Sequence, residues 1–294
     1  MKNRGMLLAI LAYLLWGLLP VYWKFLKDIP ALEILSHRII WALAFNVLVL
    51  TLLRRWGWVC STLRDGKTLR VFLASTVFLS ANWLTYIWAV NAGHVVESSL
   101  GYFILPLLNI ATGVLFFNER IRPGQWLAIA TALIGVMYLV ITQGGALWIS
   151  LMLAVTFALY GVLRKTARLD SLNGLTLETA LILLPAAGYV VYLDRLGSGS
   201  FGHAQWSTTA LLMFSGVVTA VPLLLFAAAV RQIPMSTAGI LQYIAPIIQF
   251  ILGAFVYHEP FSMARWIGFA IVWLALLIYT VERIQWQRRV AVNG

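Results

Sequence analysis

Acidic side chains are nearly missing from this chain: ten Asp and Glu stand against 21 Lys and Arg among 294 residues, and charged residues make up only 11%. A soluble domain averages about 25% charged and about 45–50% apolar residues, whereas 62% of this chain is hydrophobic and its mean hydropathy is +0.89. No single globular core of this length could hide so much apolar surface, but lipid accepts it. The composition therefore reads as an integral membrane protein. Cys60 is the single cysteine, which excludes an intrachain disulfide and a thiolate metal cluster. The sequence also lacks a G-x-x-x-x-G-K-[ST] phosphate loop, an H-E-x-x-H pair and any Cys/His metal spacing. Nucleotide hydrolysis within the chain, a metal and a cofactor are accordingly not expected.

What remains is a series of apolar runs separated by short basic segments. A span needs about 20 mostly apolar residues to cross about 30 Å of hydrocarbon. Ten stretches meet that length: 5–24, 31–53, 69–90, 95–117, 125–142, 146–163, 175–193, 208–230, 236–257 and 264–281. Lipid offers backbone groups no partner, so the stretches are expected to be helices, and none shows the alternation of a barrel strand. Lys2 and Arg4 ahead of the first run imitate a signal peptide, but no A-x-A-like cleavage site follows, so that run reads as a retained first span.

The net charge of +11 would suggest a nucleic-acid partner in a soluble chain. Here the basic residues sort by loop instead, and no nucleic acid is expected. With the N-terminus in the cytoplasm, sixteen Lys and Arg fall inside and four outside (Lys24, Lys27, Arg195 and Arg265), leaving Arg38 within a span. That bias places both termini in the cytoplasm of a multi-pass plasma-membrane (inner-membrane) protein.

The two halves share a register. At an offset of 140, Pro106 meets Pro246, Gly113 meets Gly253, Glu119 meets Glu259, Trp126 meets Trp266, and Asn109 meets the similar Gln249. At slightly longer offsets Trp16-Gly17 answers Tyr160-Gly161 and Glu33 answers Glu178. Five spans per half force the second half to enter from the opposite side, the inverted-repeat plan of many secondary transporters. The expected units are 1–142 and 146–284, joined near Gln143-Gly144-Gly145.

Arg38 is the sharpest candidate, about 10 Å below the outer boundary of the second span. An ionised guanidinium at depth reads as a cavity-facing group, against the alternatives of snorkelling or of pairing with Glu33 or Glu97. His37 is its neighbour but points about 100° away on a helix. Glu33, Glu97 and Glu178 are candidate coupling carboxylates, although helix-dipole placement near span ends is the plainer account. Glu119 and Glu259 end corresponding helices and read as structural. Pro106 and Pro246 each free a carbonyl four residues back, those of Tyr102 and Gln242, and paired interruptions point to a central site. Tyr102, Asn109, Gln242, Tyr243 and Gln249 cluster on the same two spans. Trp16 and Trp83 are deep enough to line a pocket, whereas Trp23 and most others read as interfacial anchors. The Gly197-Ser198-Gly199-Ser200 run reads as a flexible outer connector.

Several of these segments resemble a known family. Leu15-Trp16-Gly17, the run from Glu97 through Pro106 and Gly113 to Asn118-Glu119-Arg120, and Ser36-His37-Arg38 are similar to motifs of the drug/metabolite transporter superfamily, EamA type. His37-Arg38-Ile-Ile-Trp41, Leu100-Gly101-Tyr102-Phe103 and Tyr160-Gly161-Val-Leu-Arg164-Lys165 resemble its RarD subfamily. The resemblance covers nearly the whole chain. It implies a ten-helix all-α EamA fold, alternating access, and export of a small molecule: a metabolite, an amino acid or an amphenicol-like drug. One departure is that the second half has no counterpart of Arg38, whose position falls near Leu183. A membrane enzyme acting on a lipid-linked substrate and a passive channel are the competing classes. The first would need converging acid, base or metal ligands, and the second would show no saturable counterflow. Reporter fusions at Gly144 and Gly294 are expected to score on opposite sides of the membrane; the same side for both would overturn ten spans.

Overall fold

The computed structural model describes residues 2–92, 94–143, 146–256 and 262–293. Its helices are α1 (Lys2–Lys24), α2 (Ala31–Leu52), α3 (Trp58–Arg64), α4 (Gly66–Asn91), α5 (Val95–Phe117), α6 (Pro123–Gln143), α7 (Leu147–Thr166), α8 (Ser171–Leu181), α9 (Leu183–Arg195), α10 (Trp206–Val230), α11 (Met235–Gln242), α12 (Ile244–Ile251) and α13 (Met263–Asn293), with a π-helical turn at Leu252–Val256. No strand occurs among the described residues. In lipid this is the economical solution, because a helix satisfies its backbone within its own segment.

Length and apolarity together single out seven helices able to cross a membrane: α1, α2, α5, α6, α7, α10 and α13. The bent pair α8–α9 makes an eighth if it counts as one span. Two of the ten stretches expected from the sequence are not among those seven or the bent pair, when the described residues alone are weighed. One is α4, 26 residues long, in which the side chains of residues 87, 90 and 91 lie outside those described. The other is 236–257, which is broken into α11, α12 and the π turn.

Both breaks have a local cause. Proline lacks the N–H that would reach the carbonyl four residues back. Pro185 thereby frees the carbonyl of Leu181, the last residue of α8, and the chain turns 49° into α9. Pro246 frees that of Gln242, the last residue of α11. Its counterpart Pro106 sits inside α5 without dividing it.

The helices pack in a recurring pattern. α1 lies against α10, α11 and α12, and α7 against α4 and α5. α2 packs on α10 and α4 on α8, while α6–α13, α5–α11 and α2 with α8–α9 pair across the bundle. Small residues permit the tightest of these contacts, as is common between membrane helices. A Cβ on Gly216 of α10 would stand 2.2 Å from the Trp41 carbonyl carbon and 2.5 Å from the Ala42 nitrogen of α2. Backbone cannot yield as a side chain can. Gly216→Ala is therefore expected to cost about 1–3 kcal/mol by overpacking, read as a lower melting temperature in detergent. Gly188→Ala on α9, where a Cβ meets nothing within 4 Å, should be neutral or stabilising.

Candidate functional site

The close approach at Gly216 has a consequence one turn further along α10. It brings Thr219 beside α2, where its Oγ1 accepts a 2.9 Å hydrogen bond from Arg38 Nε. The guanidinium carbon lies 4.8 Å from the ring centroid of Trp23 and 5.4 Å from that of Trp83. Aromatic faces attract a cation through the ring quadrupole, by about 2 kcal/mol or more when desolvated. Among the described residues no carboxylate forms an ion pair with Arg38. Glu33, a candidate partner, is occupied elsewhere: its oxygens accept from the Ser200 N–H at 2.6 Å and the Ser200 hydroxyl at 3.2 Å.

Arg38 lines a central cavity of about 200 Å³. Trp16, Trp83, Tyr102, Gln242, Pro246 and Gln249, all candidates from the sequence, share the lining. Gln249 donates to the Trp16 carbonyl at 3.2 Å, tying α12 to α1. Trp16 packs among Tyr13, Phe157 and Phe226 at centroid distances of 5.6–5.7 Å. On every lining helix these residues occupy the middle or the half away from the N-terminal end of α1. Asn109 and Tyr243 lie outside this lining. Asn109 is fully buried behind it, donating to Gln242 Oε1 at 2.6 Å. Tyr243, also fully buried, donates to the Phe103 carbonyl at 3.2 Å, on the side away from the cavity. Pro106 is packed over by α11, where a Cβ on Gly239 would stand 2.5 Å from the Pro106 carbonyl oxygen.

The remaining candidates sit at the two ends. His37 stacks on Phe201 at 4.8 Å, close to Glu33. The loop expected to be a flexible connector is pinned here: Ser200 is held by Glu33, and the Gly202 N–H donates to Thr209 Oγ1 at 3.2 Å. Its glycines serve the turn, with φ of +64° at Gly197 and +77° at Gly202. Glu178 is fully buried at the other end, accepting from the Ser75 hydroxyl at 2.5 Å and the Tyr160 hydroxyl at 3.4 Å. The side chain of Glu97, together with all of Glu259, lies outside the described residues.

Sequence reasoning missed Tyr13, Pro20, Trp23, Asn82, Tyr86, Phe157 and Thr219 as lining residues. For α1 a signal existed, because Tyr13, Trp16, Pro20 and Trp23 step by three and four along one helical face. Thr219 carried none, since only the α2–α10 contact gives it a partner. Asn82 looks outward from the cavity as well, donating to the Leu153 carbonyl at 2.8 Å and Thr156 Oγ1 at 3.1 Å on α7.

At the end of the bundle that carries most of the basic residues, ion pairs link the two halves. Arg122 grips Glu282 with two 2.6 Å hydrogen bonds, Arg55 meets Asp170 at 2.6 Å and Arg168 meets Asp65 at 2.8 Å. Glu119 caps α11, accepting from the N–H groups of Met235 and Ser236 at 2.6 and 2.9 Å. Asp65 itself caps α4: the Thr68 hydroxyl, the Lys67 N–H and the nearby Arg168 charge hold its carboxyl below the usual range.

Comparison with known proteins agrees with this architecture. The profile of the EamA-like transporter family matches twice, over residues 3–141 and 143–281. Protein RarD of Streptomyces exfoliatus is 45% identical over 98% of this chain and 91% of its own length. The uncharacterized transporter YojE of Bacillus subtilis is 43% identical over 97% and 96%, and Protein RarD of Escherichia coli is 39% identical over 98% and 97%. A solved crystal structure shares the fold, with a TM-score of 0.73 at 19% identity, covering 96% of this chain and 98% of that one. Two matches to one family, one in each half, and relatives this similar along their whole length leave one conclusion: this chain belongs to the EamA-like transporter family.

Proposed function

We propose that this protein is a secondary transporter that exports a small organic metabolite bearing an anionic group, by alternating access of two inverted five-helix halves. The observation that carries this reading is Arg38, a charge held in a cavity by a hydroxyl and two indole faces and, among the described residues, by no carboxylate. A guanidinium presents a planar fork of donors matched to a carboxylate or phosphate. Its Nε is engaged, and an incoming anion would supply a counter-charge that none of the described residues does. The aromatic walls suit an apolar body attached to that anion, in a cavity of about 200 Å³.

Ten spans in two halves, 1–142 and 146–284, remain our reading of the topology. The packing supports it. If α1 exchanges with α7, α2 with α8–α9, α4 with α10, α5 with α11–α12 and α6 with α13, each principal packed pair maps onto another such pair or onto itself. On this reading α4 and α8–α9 are full spans and α11–α12 with its π turn is a broken one, of the kind that lines transporter cavities. The charge bias puts the laced, basic end and both termini in the cytoplasm of the inner membrane. The cavity then lies in the periplasmic half, which is the arrangement of an outward-facing state.

Counterflow in proteoliposomes tests the role of Arg38. Losing a charge-assisted hydrogen-bonding group costs about 1.5–3 kcal/mol, so Arg38→Ala should lower transport efficiency by about 10- to 100-fold. Arg38→Lys keeps the charge without the fork and should recover only part of that. Wild-type kinetics in both variants would overturn the assignment.

A further inference from the structure

We propose that Arg164 is a second anion-binding residue, serving the cavity when it opens at the basic end, and that Glu178 occupies it while that end is closed. This rests on the alternating-access reading above and adds to it a site at the opposite face.

The case begins with register. Trp16-Gly17 corresponds to Tyr160-Gly161 at an offset of 144, and the same offset carries Pro20 onto Arg164. Trp16 and Pro20 both line the present cavity. When two inverted halves exchange conformations, residues equivalent to today's lining become the lining of the opposite-facing cavity. Arg38 has no equivalent arginine, its position falling at Leu183, and Arg164 stands where the first half has proline. The exchange therefore removes one guanidinium from the path and admits another. The ligand chemistry is the same on both sides, a carboxylate or a similar oxyanion.

The surroundings of Arg164 fit a donor group held in reserve. It is 1% exposed, yet its Nε and Nη1 have no hydrogen-bond partner. Only Nη2 is engaged, donating to the Ser171 carbonyl at 2.9 Å. The nearest carboxylate oxygen, Glu178 Oε1, is 3.8 Å from Nη1: an ion pair without a hydrogen bond. Glu178 does not depend on Arg164 for its position, because Ser75 of α4 and Tyr160 of α7 hold its two oxygens. The Ser75 contact crosses between the halves. Gly174 leaves room for the guanidinium, since a Cβ there would stand 1.8 Å from Nη1. Other buried polar atoms of the same half of the bundle also lack partners, among them both amide atoms of Asn46 and the Thr76 hydroxyl. Such orphaned groups are expensive in a permanently dry core. They are understandable in a path that is wetted for part of a cycle.

The reporter for this path is Leu79, fully buried now and equivalent, at the offset of 140, to the cavity-lining Thr219. Leu79→Cys in a Cys60→Ser background is labelled by a membrane-impermeant maleimide supplied at the basic-end face. Glu178→Gln removes the charge that holds Arg164 and should raise the labelling rate by about tenfold, a modest population shift. Ser75→Ala, which cuts the cross-half bond and leaves Glu178 in place, must shift the rate in the same direction, so the result does not hang on one variant. Benzoate should then slow labelling of the Glu178→Gln protein, and benzylammonium should not. The protection should vanish on adding Arg164→Gln and return in part with Arg164→Lys. Unchanged labelling in both Glu178→Gln and Ser75→Ala, or benzoate protection that survives Arg164→Gln, would overturn the proposal. Failure of the Arg38 reading would look different: benzoate protection of Tyr102→Cys from the other face would persist in Arg38→Gln, with the basic-end results intact.

Discussion

Hydrocarbon gives polar groups nothing to bind, and this one constraint organises the molecule. A buried amide or hydroxyl without a partner costs a few kcal/mol, and a bare charge more. The chain answers by joining its polar side chains across helices. Asn82 is tied to α7, Asn109 to Gln242, Glu33 to the outer loop, and Glu178 to Ser75 and Tyr160. These links are also what holds the helices in register, because lipid supplies no hydrophobic drive to pack one against another. Arg38 meets the constraint in another way: among the described residues its charge is held by one hydroxyl and two indole faces.

The two ends of the bundle differ in the same currency. At the basic end, ion pairs and a helix cap run between the halves, and two of the members, Arg55 and Arg168, are more than half-exposed. Exposed pairs are individually worth about 0–1 kcal/mol, so no single one of them holds the halves together. The bidentate Arg122–Glu282 contact, with side-chain exposures of 29% and 16%, is the sturdiest of the exposed set. At the opposite end polar links run from Glu33 of the first half to Ser200 of the second and from Asp194, in the last turn of α9, to His203 of the following loop.

Symmetry alone would make the two faces equivalent, and the residues do not. Trp16 of the first half answers to Tyr160 in the second, Pro20 to Arg164, and Arg38 to Leu183. The breaks are unequal too, since Pro246 divides its span and Pro106 does not. A ligand can shift an equilibrium only through different affinity for its states, and in the alternating-access reading proposed above unequal faces would supply that difference.

Hydropathy, charge bias and internal register are properties of the chain read in one dimension, so the sequence alone determined a helical membrane protein with two related halves and a family. It also singled out Arg38 as a candidate, because no partner residue has to be known to see the cost of a charge in a span. Which candidates share a cavity depended on helix rotation. Gln242 and Tyr243 are adjacent in sequence, yet a turn of about 100° sends one to the cavity and the other to Phe103. Thr219, Trp23 and Arg164 acquired their places only through contacts between helices distant in sequence. The α2–α10 approach at Gly216 sets the first, the guanidinium of Arg38 the second, and the packing of α8 against α4 the third. No periodicity in one segment encodes where another segment will lie, and so the partners of Arg38, and the pairing of Arg164 with Glu178, were decided by the tertiary structure.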